Sequence, residues 1–568
     1  MKPKHHVLIQ QILLCILVGL VYSPAFHAEP CLLDDVAMLR GLQGGSLLDL
    51  KALLIPNSAH FAYYRPMIGI SYWSAQTLWH AAPHAMHIEN VVFHMLNVLL
   101  LFWLIRLSLP VDAKSNRYAP FLGALLFAVH PIATESVNWI SGRTDLIAGG
   151  FLIGATIAVV SWQQKRNRWW LLLFSLLLLG GGILTKEIAW GFLLVLPFFL
   201  AAPHDSSTYT IADFSGIFST IEKLFIAAAI ALCYFLAAVL LSFWPAIVLS
   251  IFLGLVALYR KPRLQPLSKK LFLLFPVLII SGCALIPFFA KLAQRSALVD
   301  YYSTFSRTIL LIAINVDNSI ALFSAALAFY IKKFFLPLPL NFAIVDIASG
   351  YLFAGIAVII LTAFLAAWRS RSAILFLTGI ALLLPALPLL HGEIAWAPYA
   401  ERYIYISSGF WIASMAVGLS SLKQPSIRTS SALLCLVLIP MAALITYKRS
   451  KVWQTNVSLF EDTVQKSPNH AKSRILYMTV LGQAGKLPEA LEQYRRINAD
   501  PIYRMHVKYA NDLALLLYNG GMKHEAWEVL DRYLTKPLPG GQKHPLATDE
   551  WQRLYKLHAS IKHEISPP

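Results

Sequence analysis

The stretch HIENVVFHMLNVLLLFWL, residues 87–104, combines a long apolar run with a row of polar side chains. The run suits a helix that crosses a bilayer, since about 20 apolar residues span the hydrocarbon core. His87, Asn90, His94 and Asn97 share one helical face, and such faces point into the bundle and hydrogen-bond neighbouring helices. We favour this structural role over a metal site, because neither a carboxylate nor a cysteine completes a ligand set there.

Composition extends this interpretation to the whole chain. Hydrophobic residues make up 57% and charged residues 13%, and long apolar runs recur until about residue 450. The sequence therefore predicts an all-α polytopic bundle of roughly 11–14 spans over residues 1–450. From Trp453 the pattern becomes that of amphipathic helices, which predicts a second domain over 451–568. Much of the net charge of +18 lies in short loops, where it sets orientation and does not indicate a nucleic-acid partner.

Basic loops are expected to face the cytoplasm. We interpret the chain as a multi-pass protein of a bacterial inner membrane, with its outer segments in the periplasm. Residues 309–330 are apolar enough to cross, but Pro337 and Pro339 break any helix that follows, and a crossing there would place the basic loop WRSRS outside. Residues 300–350 are therefore expected to lie in or re-enter the outer interface. We interpret the first apolar run as an uncleaved span, and a cleaved signal peptide is the alternative. The segments predicted outside are 25–86, 130–145, around 185–187, around 290–350, 391–403 and everything after Tyr447.

Charged residues concentrate at the outer ends of the predicted spans, in five clusters. Independent loops would not be expected to bring both signs of charge to one membrane face unless a site were there. Four of these clusters have a plainer alternative: a snorkelling turn at 186–187, a local ion pair at 401–402, a helix end at 130–131 and a helix cap at 34–35. The candidate residues are Asp34, Asp35, Arg65, His130, Glu135, Arg143, Asp145, Lys186, Glu187, Glu401 and Arg402.

Carboxylates beside lysine and arginine suit the transfer of a sugar from a polyprenyl phosphate. The cations would stabilise the departing phosphate, and a carboxylate would accept the proton of the attacking hydroxyl. A double displacement needs carboxylates on both faces of the sugar, which adjacent Asp34 and Asp35 cannot easily supply. We therefore expect inversion, with one aspartate as base and the other in a positioning role. Which aspartate is the base stays open, with a preference for Asp35.

The C-terminal sequence contains two similar segments. Gly485 and Ala490 match Gly521 and Ala526, 36 positions later, at small positions typical of tetratricopeptide repeats. Flanking helices around 452–468 and 545–563 would complete the array, since two such repeats are marginal alone. The domain is either a stabilising cap or a docking groove for a protein or peptide.

Six stretches of the chain carry a resemblance to known proteins: LDD, YYRPM, FAVHPIATESVNWISGRTDLIAG, LTKE, AERYIYISSGF and the stretch that begins VWQTNVSLFEDTVQ. They resemble GT-C membrane glycosyltransferases, and most closely the transmembrane and tetratricopeptide-repeat-containing O-mannosyltransferases. The resemblance implies a donor of dolichyl- or polyprenyl-phosphate sugar, often mannose, and a catalytic role for Asp34 and Asp35. It also implies that Lys186, Glu187 and Arg402 lie near the lipid phosphate. The repeat array is shorter than in eukaryotic members, as in short-tailed bacterial relatives.

Several questions stay open on sequence alone. The expected acceptor is a Ser/Thr hydroxyl of proteins, and the alternative is a glycolipid of the cell envelope. Some GT-C enzymes use a divalent metal and others do not, and the sequence contains no dedicated metal set. The competing function is a transporter or flippase of lipid-linked sugars, which should place charges in mid-span and show an internal repeat of its spans. A membrane-anchored scaffold is the third alternative, and it leaves the outer carboxylates unexplained.

Overall fold

The computed structural model shows a helical protein. Within its described ranges the backbone is helical apart from short connections and one bridge between Ile344 and Tyr399, which confirms the all-α prediction. The described residues are 3–41, 65–109, 118–165, 168–201, 311–312, 314–368, 370–391, 396–422, 424–499, 507–535 and 549–565.

Most of the apolar helices pack around one continuous hydrophobic core. They are joined by short 3-10 segments at Ser23–His27, Pro131–Ala133, Ile140–Gly142, Glu187–Gly191, Leu384–His391 and Glu401–Ile404. The α-helices of this bundle are α1 (Pro3–Val21), α2 (Asp35–Gly41), α3 (Pro66–Trp79), α4 (Pro83–Ser108), α5 (Ala119–Ala128), α6 (Thr134–Asn138), α7 (Arg143–Gln164), α8 (Trp170–Ile183), α9 (Phe192–Ala201), α10 (Val316–Phe335), α11 (Tyr351–Trp368), α12 (Arg371–Leu383), α13 (Tyr405–Ser421) and α14 (Pro425–Val452).

Several of these helices can cross a membrane. Five are long and apolar enough, and α5 with the segment Pro131–Asn138 makes a sixth if the pair, bent by 46°, counts as one span. Shorter apolar helices include α8 and the stretch Tyr351–Ala366 of α11. The chain is thus a membrane protein. The predicted total of 11–14 spans stays a prediction, because residues 202–310 lie outside the described part. The five are Pro83–Ser108, Ile140–Gln164, Arg371–His391, Glu401–Ser421 and Ser426–Val452.

The polar face of α4 holds the irregular segment that follows α5. Asn90 donates its amide to the Trp139 carbonyl at 2.7 Å, and Asn97 donates to the Leu146 carbonyl at 2.8 Å. His94 lies 3.3 Å from the Ala128 carbonyl. These side chains are buried, as is His87. The bonds made by the two asparagines and by His94 confirm the structural role predicted for this face.

Residues 300–350 include one long helix. Helix α10 packs on α11 and is followed by an irregular stretch from Leu336 to Gly350, which contains a cis peptide bond before Pro339. The two prolines thus end a helix, as expected. Residues 300–310, and with them the start of the predicted re-entrant segment, lie outside the described part.

The C-terminal part is a separate helical layer. Its turns need Gly485 and Gly521, which have φ of 76° and 82°. The bond from the Lys486 N–H to the Leu481 carbonyl, at 2.9 Å, closes the end of the helix Ala471–Gln483. The flanking helices lie close to their predicted positions. The helices are α15 (Asn456–Lys466), α16 (Ala471–Gln483), α17 (Leu487–Ala499), α18 (Val507–Asn519), α19 (Lys523–Thr535) and α20 (Asp549–Ile565).

An aromatic cluster joins this layer to the bundle. Phe342 is fully buried at its centre, and its ring centroid lies 4.9 Å from that of Trp453 and 5.6 Å from that of Trp139. Burial of aromatic rings between two layers favours one fixed arrangement. We call this the junction cluster; its buried members are Cys31, Trp139, Phe342, Trp453, Leu459, Phe460, Leu476 and Val480.

We expect the substitution Gly142→Ala to destabilise the protein by about 1–3 kcal/mol. A Cβ at Gly142 would lie 2.5 Å from the Ser136 carbonyl oxygen, so the backbone between α6 and α7 would have to shift. Gly180→Ala in α8 is the matched control, because a Cβ there meets nothing within 4 Å. Thermal unfolding in detergent should show a lower midpoint for the first variant alone. Equal midpoints would contradict this tight approach.

Candidate functional site

Ion pairs connect the clusters that the sequence separates. Arg65 forms a bidentate ion pair with Glu187, in which Nε lies 3.0 Å from Oε1 and Nη2 lies 2.6 Å from Oε2. Lys186 Nζ lies 2.6 Å from the Asp145 carboxylate. The Arg402 guanidinium pairs with Glu135, whose second oxygen accepts the Arg402 backbone N–H at 3.1 Å. Segments far apart in sequence are thus joined pairwise into one charged region.

The two adjacent aspartates have different environments within residues 29–35, which we call the acidic loop. Asp35 is fully buried at the start of α2, and one carboxylate oxygen accepts the Ser141 N–H at 3.0 Å and hydroxyl at 2.6 Å. Its other oxygen accepts the Cys31 N–H at 3.0 Å. Asp34 is exposed. The acidic loop therefore presents one carboxylate to solvent and uses the other to attach itself to the bundle.

Both carboxyl groups are harder to ionise than free aspartate. Burial raises the pKa of Asp35 to about 6, although the hydrogen bonds from Ser141 and Cys31 favour its ionised form. Desolvation by the surrounding protein also raises the pKa of Asp34, while the positive charges of Arg402 and Arg65 act in the opposite direction. Asp34 therefore lies within electrostatic range of two of the cations.

Lys186 and Arg402 are more accessible to solvent than the carboxylates with which they pair. The Lys186 side chain is 12% exposed and Asp145 is 0% exposed, and the corresponding values for Arg402 and Glu135 are 13% and 2%. The Tyr403 ring centroid lies 5.0 Å from the Arg402 guanidinium carbon and 6.0 Å from Lys186 Nζ. Such an arrangement fixes two cations near one aromatic ring, and each keeps a small part of its side chain accessible.

Other predicted site residues are engaged inside the fold. Arg143 is fully buried, bonds to the Met86 carbonyl and pairs with Glu89 at 3.2 Å. Glu401 is held by Lys333 at 2.8 Å, in a pair whose side chains are 2% and 4% exposed.

His130 is likewise buried. One of its ring nitrogens lies 3.0 Å from the Phe334 carbonyl, and its ring stacks on that of Phe334. The structure thus gives His130, Arg143 and Glu401 internal partners, whereas Arg65, Lys186 and Arg402 keep part of their surface exposed.

Sequence reasoning missed four residues that shape the site. Ser141 holds Asp35, Lys333 pairs with Glu401, and Glu89 pairs with Arg143. The Trp139 ring centroid lies 5.0 Å from the Arg402 guanidinium carbon. A charged residue inside an apolar helix signals a buried partner, so Glu89 in α4 and Lys333 in α10 could have been found. Nothing in the sequence distinguishes Ser141.

The described residues offer no cluster for a metal ion. Within these ranges no group of three or more histidine, cysteine, aspartate or glutamate residues is arranged to bind one. In the acidic loop, Asp34 and Asp35 could supply carboxylate oxygens, but three hydrogen bonds already occupy Asp35.

Comparisons with known proteins give partial matches. The mouse protein O-mannosyl-transferase TMTC3 is 35% identical over 95 residues, which is 17% of this chain and 10% of that protein. The human protein O-mannosyl-transferase TMTC1 is 36% identical over 92 residues, 16% of this chain and 10% of that protein. The protein O-mannosyl-transferase F38B6.6 of Caenorhabditis elegans is 29% identical over 103 residues, 18% of this chain and 15% of that protein.

No protein-family model and no solved structure matches the chain. The aligned stretch spans only about a tenth of the two mammalian relatives. Over that stretch, this membrane protein is similar to the protein O-mannosyl-transferases of animals.

Proposed function

We propose that this protein is an inverting glycosyltransferase that moves a sugar, mannose or another hexose, from a polyprenyl phosphate to a hydroxyl group of proteins. The transfer takes place at the outer face of the membrane, which in a bacterial inner membrane is the periplasmic side. The observation that carries the proposal is the exposed Asp34 carboxylate within electrostatic range of Arg402 and Arg65. The similarity to protein O-mannosyl-transferases supports both the sugar and the acceptor class.

The donor phosphate is bound by these partly buried cations. Lys186 and Arg402 are held from behind by Asp145 and Glu135, and their outer surfaces face the phosphate oxygens. These charges stabilise the phosphate as it leaves the anomeric carbon of the sugar. Arg402 supplies a planar fork of donors and Lys186 a point charge.

Asp34 is the general base. It accepts the proton of the acceptor hydroxyl as that oxygen forms its bond to the anomeric carbon, and the bond from that carbon to the phosphate oxygen breaks in the same step. The configuration inverts, because attack and departure occur on opposite faces of the sugar. Asp35, which is buried and fully bonded, serves as a positioning residue. This reverses the preference for Asp35 drawn from sequence.

The C-terminal helices form the acceptor-side domain. The two hairpins α16–α17 and α18–α19 are built on Gly485 and Gly521 turns with buried Ala490 and Ala526 at corresponding positions. We propose that they are tetratricopeptide repeats, that residues 451–568 form one domain and 1–450 a GT-C catalytic domain, and that the repeats dock the acceptor protein.

We expect Asp34→Asn to lower sugar transfer by roughly a hundredfold or more, because an amide cannot accept the hydroxyl proton. Binding of a polyprenyl-phosphate sugar should persist, since every cation of the site remains. Transfer by purified protein and donor binding are measured side by side. Asp346→Asn is the matched control, because Asp346 is an exposed aspartate outside the site. Undiminished transfer by the Asp34 variant would exclude this base.

Transfer should fall as the pH drops through about 6, the pKa to which burial raises Asp35. Protonation of Asp35 turns one of its oxygens into a donor and weakens the hydrogen bonds that the carboxyl group accepts from Ser141 and Cys31, so the acidic loop is held less firmly on the bundle. Ser141→Ala removes a hydrogen bond that favours the ionised carboxylate, so the acid limb of the pH–rate profile should move to higher pH.

Ser74→Ala is the control for this shift, since the Ser74 hydroxyl bonds to the Ser71 carbonyl within α3. Its pH–rate profile should coincide with that of the unaltered protein. An acid limb that stays in place in Ser141→Ala would show that Asp35 does not set it.

Cells that lack this protein should lose a hexose-sized mass from particular cell-envelope proteins. Intact-mass analysis of those proteins and of envelope glycans, with and without the gene, measures the acceptor class. An altered glycolipid beside unaltered proteins would redirect the proposal to a lipid acceptor.

A further inference from the structure

We infer that Asn456, the first residue of α15, is a positioning residue for the acidic loop, a role that rests on the proposed function above. Asn456 lies in the C-terminal layer, whereas Asp34 and Asp35 lie near the start of the chain. The first helix of that layer is accordingly part of the catalytic unit.

The Asn456 side chain forms hydrogen bonds with three residues of the acidic loop. Its Oδ1 accepts the Leu32 N–H at 2.8 Å, and its Nδ2 donates to the Pro30 carbonyl at 3.0 Å and to the Glu29 carboxylate at 3.2 Å. The Asn456 backbone N–H donates to the same Glu29 carboxylate at 2.9 Å. The amide is well matched to this place, because it supplies an acceptor and two donors from one rigid plane.

The helix that carries Asn456 is itself firmly placed. The Thr455 hydroxyl caps α15 by accepting the Ser458 N–H at 3.1 Å. Trp453 and Phe460 on either side belong to the junction cluster and are 4% and 0% exposed. The Gln454 carbonyl accepts the Glu29 N–H at 2.9 Å. Asn456 therefore holds the loop from a fixed support.

The loop is fastened on both sides of the proposed base. Ser141 holds it through Asp35, on the C-terminal side of Asp34, and Asn456 holds it through Leu32, on the N-terminal side. Asp34 itself projects between these two attachments. Release of either attachment lets its carboxylate move relative to the cations, and a displacement of about 1 Å at a reacting centre can cost about a hundredfold in rate.

The test uses the full-length protein with Asn456→Ala. Asn315→Ala is the matched control, because Asn315 also lies at the start of a helix, α10, and its amide bonds to the nearby Leu311 carbonyl, outside the proposed site and the repeats. Two further variants, a single and a double substitution, test the hydrogen bond between Asn456 and Glu29. Asn456→Asp places two carboxylates against each other, and adding Glu29→Gln restores a donor opposite an acceptor. Each variant is assayed for kcat and donor KM, and for deuterium uptake of the peptide covering 29–35.

We expect Asn456→Ala to lower kcat by roughly ten- to a hundredfold with donor KM unchanged, and to raise deuterium uptake over 29–35. Uptake over α16–α19 should stay as in the unaltered protein, which separates a positioning role from unfolding of the layer. Asn456→Asp should lower kcat likewise, and the double variant should recover part of it. Asn315→Ala should match the unaltered protein in both measurements.

Unchanged uptake over 29–35 in Asn456→Ala would overturn the inference, and so would an unchanged kcat. The deuterium measurement does not depend on sugar transfer. If the unaltered protein transfers no sugar from any polyprenyl phosphate, the proposed function fails, and the catalytic role of Asn456 falls with it. Uptake that rises in that case still shows that Asn456 fastens the loop.

Discussion

The hydrogen bonds from the polar face of α4 to the carbonyls that follow α5 are the constraint on which the rest of this structure depends. Irregular backbone in apolar surroundings is tolerated only where its polar groups find partners inside the protein. Asn90 provides such a partner at Trp139, and Asn97 binds the Leu146 carbonyl at the start of α7, where the irregular segment ends. The segment so fixed carries the groups that hold the site: Glu135 for Arg402, Ser141 for Asp35 and Asp145 for Lys186.

This arrangement divides the acidic residues into two kinds. Glu135 and Asp145 are buried against cations, and loss of either would leave an uncompensated charge in a poorly hydrated environment. Asp34 is exposed, with positive charges acting on it from a distance. The paired carboxylates hold the cations in place, whereas the exposed one is accessible to solvent.

Periodicity and the physics of charge near a bilayer were sufficient for part of this picture. They predicted the all-α class, the inward direction of the α4 polar face and the helical hairpins of the C-terminal layer. They also singled out Arg65, Lys186 and Arg402. They could not assign Arg402 to Glu135, since pairing over such sequence distances depends on how the helices pack. The contact from Asn456 to the acidic loop carried no signal, because an asparagine at a helix start ordinarily suggests a local cap.

The attachment of Asn456 to Leu32 joins residues 424 positions apart, and this separation has a consequence for biogenesis. Non-local contacts form only after the intervening chain exists, and domains generally fold as they emerge during synthesis. The contact between the segment around Pro30 and Asn456 can therefore form only after nearly the whole bundle has been synthesised and inserted. A helix synthesised late completes a loop synthesised early, so a truncated or incompletely inserted chain would lack this attachment of the acidic loop.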